Sequence, residues 1–223
     1  MIRNILLSIF LLTNIKISYA QDYDQISKEI CKSVKENKNF SKGLFDFNKY
    51  LNSESEEFLI SDANFFYFNL QKSLMKNCSD LPFIENYSLV PSSNVVDLEK
   101  VFNREDLAKL KERLKGIQNT NRFQLFVIST EDYFPNENIE EYSFSILNKN
   151  SSDLFQNGSL IIVFNLKSKE IRISTNNIAR NIITDEFSQK LIDEVIIPKF
   201  REEKYFEGII NSVIEINNKI SKK

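Results

Sequence analysis

Two apolar strings, QLFVIS at Gln124–Ser129 and SLIIVFNL at residues 159–166, constrain this chain most. Neither alternates polar with apolar residues, so each reads as a strand covered on both faces. A chain that buries two such strands has to lay helices over them. The flanking segments supply those helices. Asn103 with Asp106 three residues on resembles a capping box, and Leu107, Leu110, Leu114 and Ile117 follow on one face. Gly116 is placed to end that helix. Ile139, Tyr142 and Ile146 mark a helix between the two strings. After Lys167-Ser168-Lys169 the segment 170–175 (EIRIST) alternates Ile171 and Ile173 with polar residues, as an antiparallel, half-exposed neighbour does. Thr184-Asp185-Glu186 starts another helix, bent or stopped by Pro198. Tyr205, Ile209, Val213, Ile216 and Ile220 line the last one. The expected order is α-β-α-β-β-α-α, an α/β fold in the form of an α/β/α sandwich around a small mixed sheet.

The chain before residue 94 is patterned differently. Residues 1–20 read as a secretory signal peptide, with Arg3, an apolar run at residues 5–12 and the cleavage site Ser18-Tyr19-Ala20. That run is too short to span a bilayer, which takes about 20 apolar residues. No other stretch is long and apolar enough to anchor the chain, and Gln21, not a lipid-bearing Cys, follows the cut. The mature chain is therefore expected in the periplasm or outside the cell, without a transmembrane segment. Residues 21–90 are expected to form a small helical domain, with its boundary in the turn-rich Val90-Pro91-Ser92-Ser93-Asn94. Ile26, Ile30 and Val34 form one stripe, and a second helix starts near Asp62 and carries Phe65, Phe66, Phe68, Leu70, Leu74 and Met75. Cys31 and Cys78, the two cysteines of an exported chain, are expected to form a disulfide between these helices. Such a staple contributes typically about 2–4 kcal/mol to a unit this small.

Composition closes several routes to chemistry. With no histidine, Ser-His-Asp hydrolysis, Cys-His proteolysis and His-ligated zinc are excluded. Loss of Arg3 and Lys16 with the signal peptide moves the formal charge from −2 to −4, and no basic footprint for nucleic acid remains. Carboxylates, hydroxyls, amides, Lys and Arg are left, groups that suit hard cations and phosphates.

From Asn94 to about Ile220 the sequence resembles the TPM domain family, also called the TPM phosphatase domain. VVDLEKVFNREDLAKL is similar to the family's opening, where an Asp precedes a helix, and QLFVIST to its first strand. NIEEYSFSILNK resembles its Ile-Glu-x-Tyr helix, and QNGSLIIVF its Asp-Asn-Gly signature with the strand that follows. IRISTNN, IITDEFSQKLIDEVIIPKF and KYFEGIINSV resemble its hairpin strand, its Leu-Thr-Asp helix start with a late Pro, and its final helix. The resemblance implies the α/β/α sandwich. It also implies acid phosphatase activity on small phosphoesters, divalent-cation binding and a role as an extracytoplasmic accessory domain.

Three positions depart from the pattern. The acid before Asn-Gly is Gln156, the Gly-x-Gly after the hairpin strand is Asn176-Asn177-Ile178, and the following acid is Arg180. A surviving cation site, for calcium or another divalent ion held weakly, would take Asp97, which matches the opening Asp, and Asp185 as its anions. Asn157 would be a neutral donor and Asp153 a substitute for the missing acid, all converging between the loop after Asn94, the Gln156-Asn157-Gly158 turn and the Asn177–Asp185 segment. The structural alternatives are a turn or cap for Asp97 and a macrodipole partner for Asp185. Arg180 is read as a salt-bridge partner of Asp185 or an anion holder. Asn157-Gly158 is read as a loop-to-strand turn with positive backbone angles, not a hairpin. The functional expectation is a non-catalytic interaction or assembly module with a protein partner in the cell envelope; the alternative is a metal-assisted acid phosphatase.

Overall fold

The structure is a computed structural model that describes residues 23–25, 27–28, 31–32, 60–79, 93–151 and 155–222, with side chains of the helix at Ile60–Asn77 described from Asn69 onward. The signal peptide, Ile26, Ile30, Val34, Asp153, residues 80–92 and the side chains of Phe65, Phe66 and Phe68 lie outside the described residues.

Four strands form one sheet in the order β1-β2-β3-β4: β1 (Val95–Asp97), β2 (Gln124–Ser129), β3 (Ser159–Asn165) and β4 (Glu170–Thr175). The first three run parallel and β4 turns back antiparallel on β3, so the two apolar strings are the interior strands and Glu170–Thr175 the hairpin partner. β1 was not expected. Three residues are too few to show a period, and Val95–Asp97 become a strand because their backbone pairs with Val127–Ser129.

Alternate strand residues supply two cores. Val95, Leu125, Val127, Leu160, Ile162, Phe164 and Ile173 face α2 (Arg104–Asn121) and the C-terminal helices. Val96, Phe126, Ile128, Ile161 and Val163 face α3 (Ile139–Asn150), whose Tyr142, Ile146 and Leu147 are fully buried. Each such aliphatic side chain stabilises by about 1.5–3 kcal/mol on burial, which is why both faces must be covered.

Helix ends follow their caps. Asn103 Oδ1 accepts from Asp106 N at 2.9 Å while its amide donates to the Asp106 carboxylate at 2.7 Å. Thr184 Oγ1 accepts from Phe187 N to open α5 (Asp185–Leu191), which follows the short α4 (Asn177–Arg180). Gly116 does not end α2. The helix runs on to Asn121 and stops at Arg122, held at φ 47° in the left-handed region. Nor does Pro198 stop the helix it interrupts. A π-helical turn at Ile192–Ile196 widens the spiral just before it, so the ring avoids the carbonyl below and α6 (Ile197–Arg201) continues. α7 (Tyr205–Ser221) closes the first core with Ile209, Val213, Ile216 and Ile220.

The N-terminal region carries the expected disulfide, Cys31–Cys78, with a Cα–Cα distance of 5.5 Å. Residues 31–32 are helical, and α1 (Ile60–Asn77) begins two residues before the expected Asp62. Asn77 Nδ2 donates to Asp24 Oδ1 at 2.8 Å and to Ser27 Oγ at 2.6 Å, adding polar ties beside the staple. Yet α1 also enters the second core through Met75, which belongs to the same buried cluster as Val96, Leu98 and Ile128. The stapled helix thus shares a core with the sheet, where the sequence suggested a unit apart.

Candidate functional site

Strand register decides which candidate residues can meet. Asp97 is level with Ser129, at the carboxyl ends of the parallel strands. Gly158 lies one residue before the Gln124–Ser159 pair, at their amino ends. Gln124 to Ser129 spans five steps of roughly 3.3 Å, so the two edges stand about 17 Å apart. Because β4 runs back, its end at Thr175 returns the chain to the amino edge, and α4, Arg180 and Asp185 follow there.

The amino edge is built of amides. Asn157 Nδ2 donates to Asn121 O at 2.7 Å, satisfying a carbonyl left open at the end of α2. Asn176 Oδ1 accepts from Ser159 N at 3.1 Å and Ala179 N at 2.9 Å, which caps α4 and ties it to β3. Asn94 Nδ2 donates to Gln118 Oε1, and Arg122 Nη1 to Gln156 Oε1 at 3.2 Å. Gly158 is required by space as well as by angle. Its φ is +98°, and a Cβ there would lie 2.4 Å from Ala179 N. The turn is the expected loop-to-strand turn; the positive angle belongs to Gly158 alone. Arg180 pairs with Asp185 at 3.6 Å, both largely exposed.

At the carboxyl edge the acids are turned inward. Asp97 Oδ1 accepts from Val101 N at 3.1 Å and from the buried Ser129 hydroxyl at 2.5 Å; Oδ2 accepts from Phe102 N at 2.9 Å. This fixes the loop that delivers the Phe102 ring edge-on to Phe164, at 6.1 Å between centroids. Glu99 accepts from Leu166 N through both oxygens, at 3.0 and 3.1 Å, and so ties the first loop to the β3–β4 turn. Burial pushes the Glu99 carboxyl up, backbone N–H groups of Leu166 and Lys167 oppose this, and the charges of Glu131 and Asp97 add to it. Tyr133 holds the same turn from the other side, donating to Glu170 Oε2 at 2.7 Å. Its hydroxyl is pushed up to about 12, mainly by burial. Lys111 is half-buried and held below its usual range by that burial, against the attraction of Asp97.

The sequence model of the TPM domain matches residues 95–219, more than half of the 223. The chain belongs to the TPM domain family. A solution NMR structure of the N-terminal domain of a protein from P. gingivalis has the same fold, with a TM-score of 0.51 at 17% identity over 59% of this chain and 83% of that one. The N-terminal domain of the cg2496 protein from Corynebacterium glutamicum scores 0.43 at 13% identity, over 59% and 79%. No curated protein matches the sequence.

Within this TPM domain, Asp97, Asn157 and Asp185 do not fit one ion. Asp97 stands at the carboxyl edge and the other two at the amino edge, so the convergence expected from sequence fails for Asp97. Among the described residues, no three acids or cysteines gather as metal ligands. The sequence reading also missed Glu99, Glu131 and Tyr133, which share the carboxyl edge with Asp97. Their signal was present: acids follow directly on strands in VVDLE and VISTED.

Proposed function

We propose that this is an exported TPM-domain protein whose domain serves as a non-catalytic interaction and assembly module for a protein partner in the cell envelope. The observation that carries the reading is the engagement of Asp97. Both of its oxygens are taken by Val101 N, Phe102 N and the Ser129 hydroxyl, so the family's opening acid builds a loop. The ion pair of Arg180 with Asp185 supports it, since a cation stands where the family has an acid. The disulfide supports export, because such bonds persist in oxidising compartments. Among the described residues no helix is long and apolar enough to cross a membrane.

A second reading, a metal-assisted acid phosphatase with weak calcium binding, is favoured by one feature. Glu99, whose carboxyl is pushed up by burial and further by the charges of Glu131 and Asp97, against the N–H groups of Leu166 and Lys167, is shifted in the direction a general acid needs. One experiment separates the two: melting temperature of the mature chain against calcium and magnesium, then phosphoester turnover in the same buffer. The module reading expects no turnover above buffer. Turnover that is lost in both Asp97→Asn and Glu99→Gln would replace it with the phosphatase.

A further inference from the structure

The second face of the sheet is covered by two helices of different origin. α3 covers β3 and β4, and its Tyr142, Ile146 and Leu147 belong to the family-matching segment. Over β1 lies α1, which precedes that segment and brings Met75, 8% exposed, into the buried cluster that includes Val96, Leu98 and Ile128. One turn earlier on α1, Lys72 Nζ sits 2.6 Å from Asp132 Oδ1 in the loop after β2. The Lys72 side chain is 11% exposed although its partner is 61% exposed, so the lysine is laid down along the protein and reaches out to the acid. Asp132 also accepts from Phe134 N at 3.0 Å, which makes the ion pair part of how the loop into α3 is shaped.

We propose that α1 is an intramolecular strap, fastened at Met75 and at Lys72–Asp132, that completes the core of the TPM domain over β1. The cysteine staple lies at its end, where Leu74 O accepts from Cys78 N at 2.8 Å and Leu70, Leu74 and Cys78 are buried. The staple thus holds the strap against the helical residues 23–25, 27–28 and 31–32, and the two fasteners hold it against the sheet. Lifting it takes Met75 out of the buried cluster that holds Val96, Leu98 and Ile128, and removes the helix that packs on β1.

Hydrogen exchange of the full mature chain tests this, read by peptide. Met75→Asp and Lys72→Glu should each speed exchange at residues 95–98 and 126–129 at least tenfold, while residues 209–216 of α7 keep their protection. Met75→Leu and Lys72→Arg, which keep the fasteners, should leave both regions as they are. Equal loss of protection in α7 would make these ordinary core residues and overturn the strap. So would unchanged exchange at 95–98 in Lys72→Glu, which decides alone should Met75→Asp fail to fold.

Discussion

The carboxyl edge of the sheet turns its acids inward onto backbone N–H groups, whereas the amino edge turns amides inward and leaves its charges in water. Asp97 and Glu99 each hold a loop by accepting from main-chain donors. Asn157 and Asn176 do the same work with neutral groups, and the only acid–base pair described beside them, Arg180–Asp185, is exposed. The difference teaches where charge matters to this molecule. A half-buried carboxylate that accepts from backbone N–H groups is costly to remove, and an exposed pair is not.

The largest effect is expected at the amino edge, from a residue with no charge. Gly158→Ala places a methyl group 2.4 Å from Ala179 N and forces a side chain into φ +98°. Strain and overlap together should cost about 3 kcal/mol. At roughly 2–4 °C per kcal/mol for a chain of this size, the melting temperature should fall by about 9 °C. A fall below about 2 °C would mean that α4 moves aside freely and that the amino edge is not rigid.

Asp97→Ala is expected next, at about 2 kcal/mol by urea denaturation, because Val101 N and Phe102 N lose their acceptor together. Asp97→Asn keeps one oxygen and should cost roughly half of that. Equal stability of parent and Ala variant would show the loop held by the Phe102–Phe164 contact alone, and the inward turning of the acid would lose its meaning.

Much of this architecture was legible beforehand, and the reasons are specific. Val127, Ile128, Ile161 and Ile162 announce buried strands because a run without polar residues has no wet face to offer. Asn103, Thr184 and Asn157-Gly158 announce ends and turns because their geometry is local. The site was less legible. Which edge a residue occupies depends on strand direction and register, and β1 is only three residues long. Asn94 and Asp97 sit three apart in sequence and on opposite sides of that strand, so grouping them by proximity in the chain misplaced Asp97. Gly116 misled for a related reason. It is a common helix terminator, but nothing lies within 4 Å of where its Cβ would be, and the helix passes through it.

Glu99 gives a smaller effect with a distinctive sign. Its folded-state value is raised, chiefly by burial, so the folded protein binds its proton more tightly than the unfolded chain does. The stability it contributes is present at low pH, below the unfolded carboxyl value, and is lost as pH rises through the raised folded value. Glu99→Gln keeps an oxygen for Leu166 N and cannot ionise. Subtracting the stability of Glu99→Gln from that of the parent across pH 4 to 7 should therefore give a difference that falls as pH rises. A difference that rises would mean that the N–H groups of Leu166 and Lys167 outweigh burial.

The smallest effect is expected from Arg180 and Asp185, the pair that most resembles a site in the sequence. Their nitrogen and oxygen stand 3.6 Å apart, with 59% and 77% of the side chains exposed. Water screens such a pair, and holding both side chains in one geometry costs rotamer entropy, so exposed pairs are typically worth about 0.2–1 kcal/mol. A double-mutant cycle of Arg180→Ala and Asp185→Ala should return a coupling of at most about 0.5 kcal/mol, shrinking further in about 1 M salt, where the screening length falls to roughly 3 Å. Asp185→Asn should be nearly silent as well, since Glu186 also stands in the first turn of α5 and keeps negative charge at its amino end. A coupling above about 1.5 kcal/mol that survived salt would mean that this pair is shielded in solution. The amino edge would then carry a shielded charge as the carboxyl edge does at its half-buried acids, and the contrast between the two edges would fail.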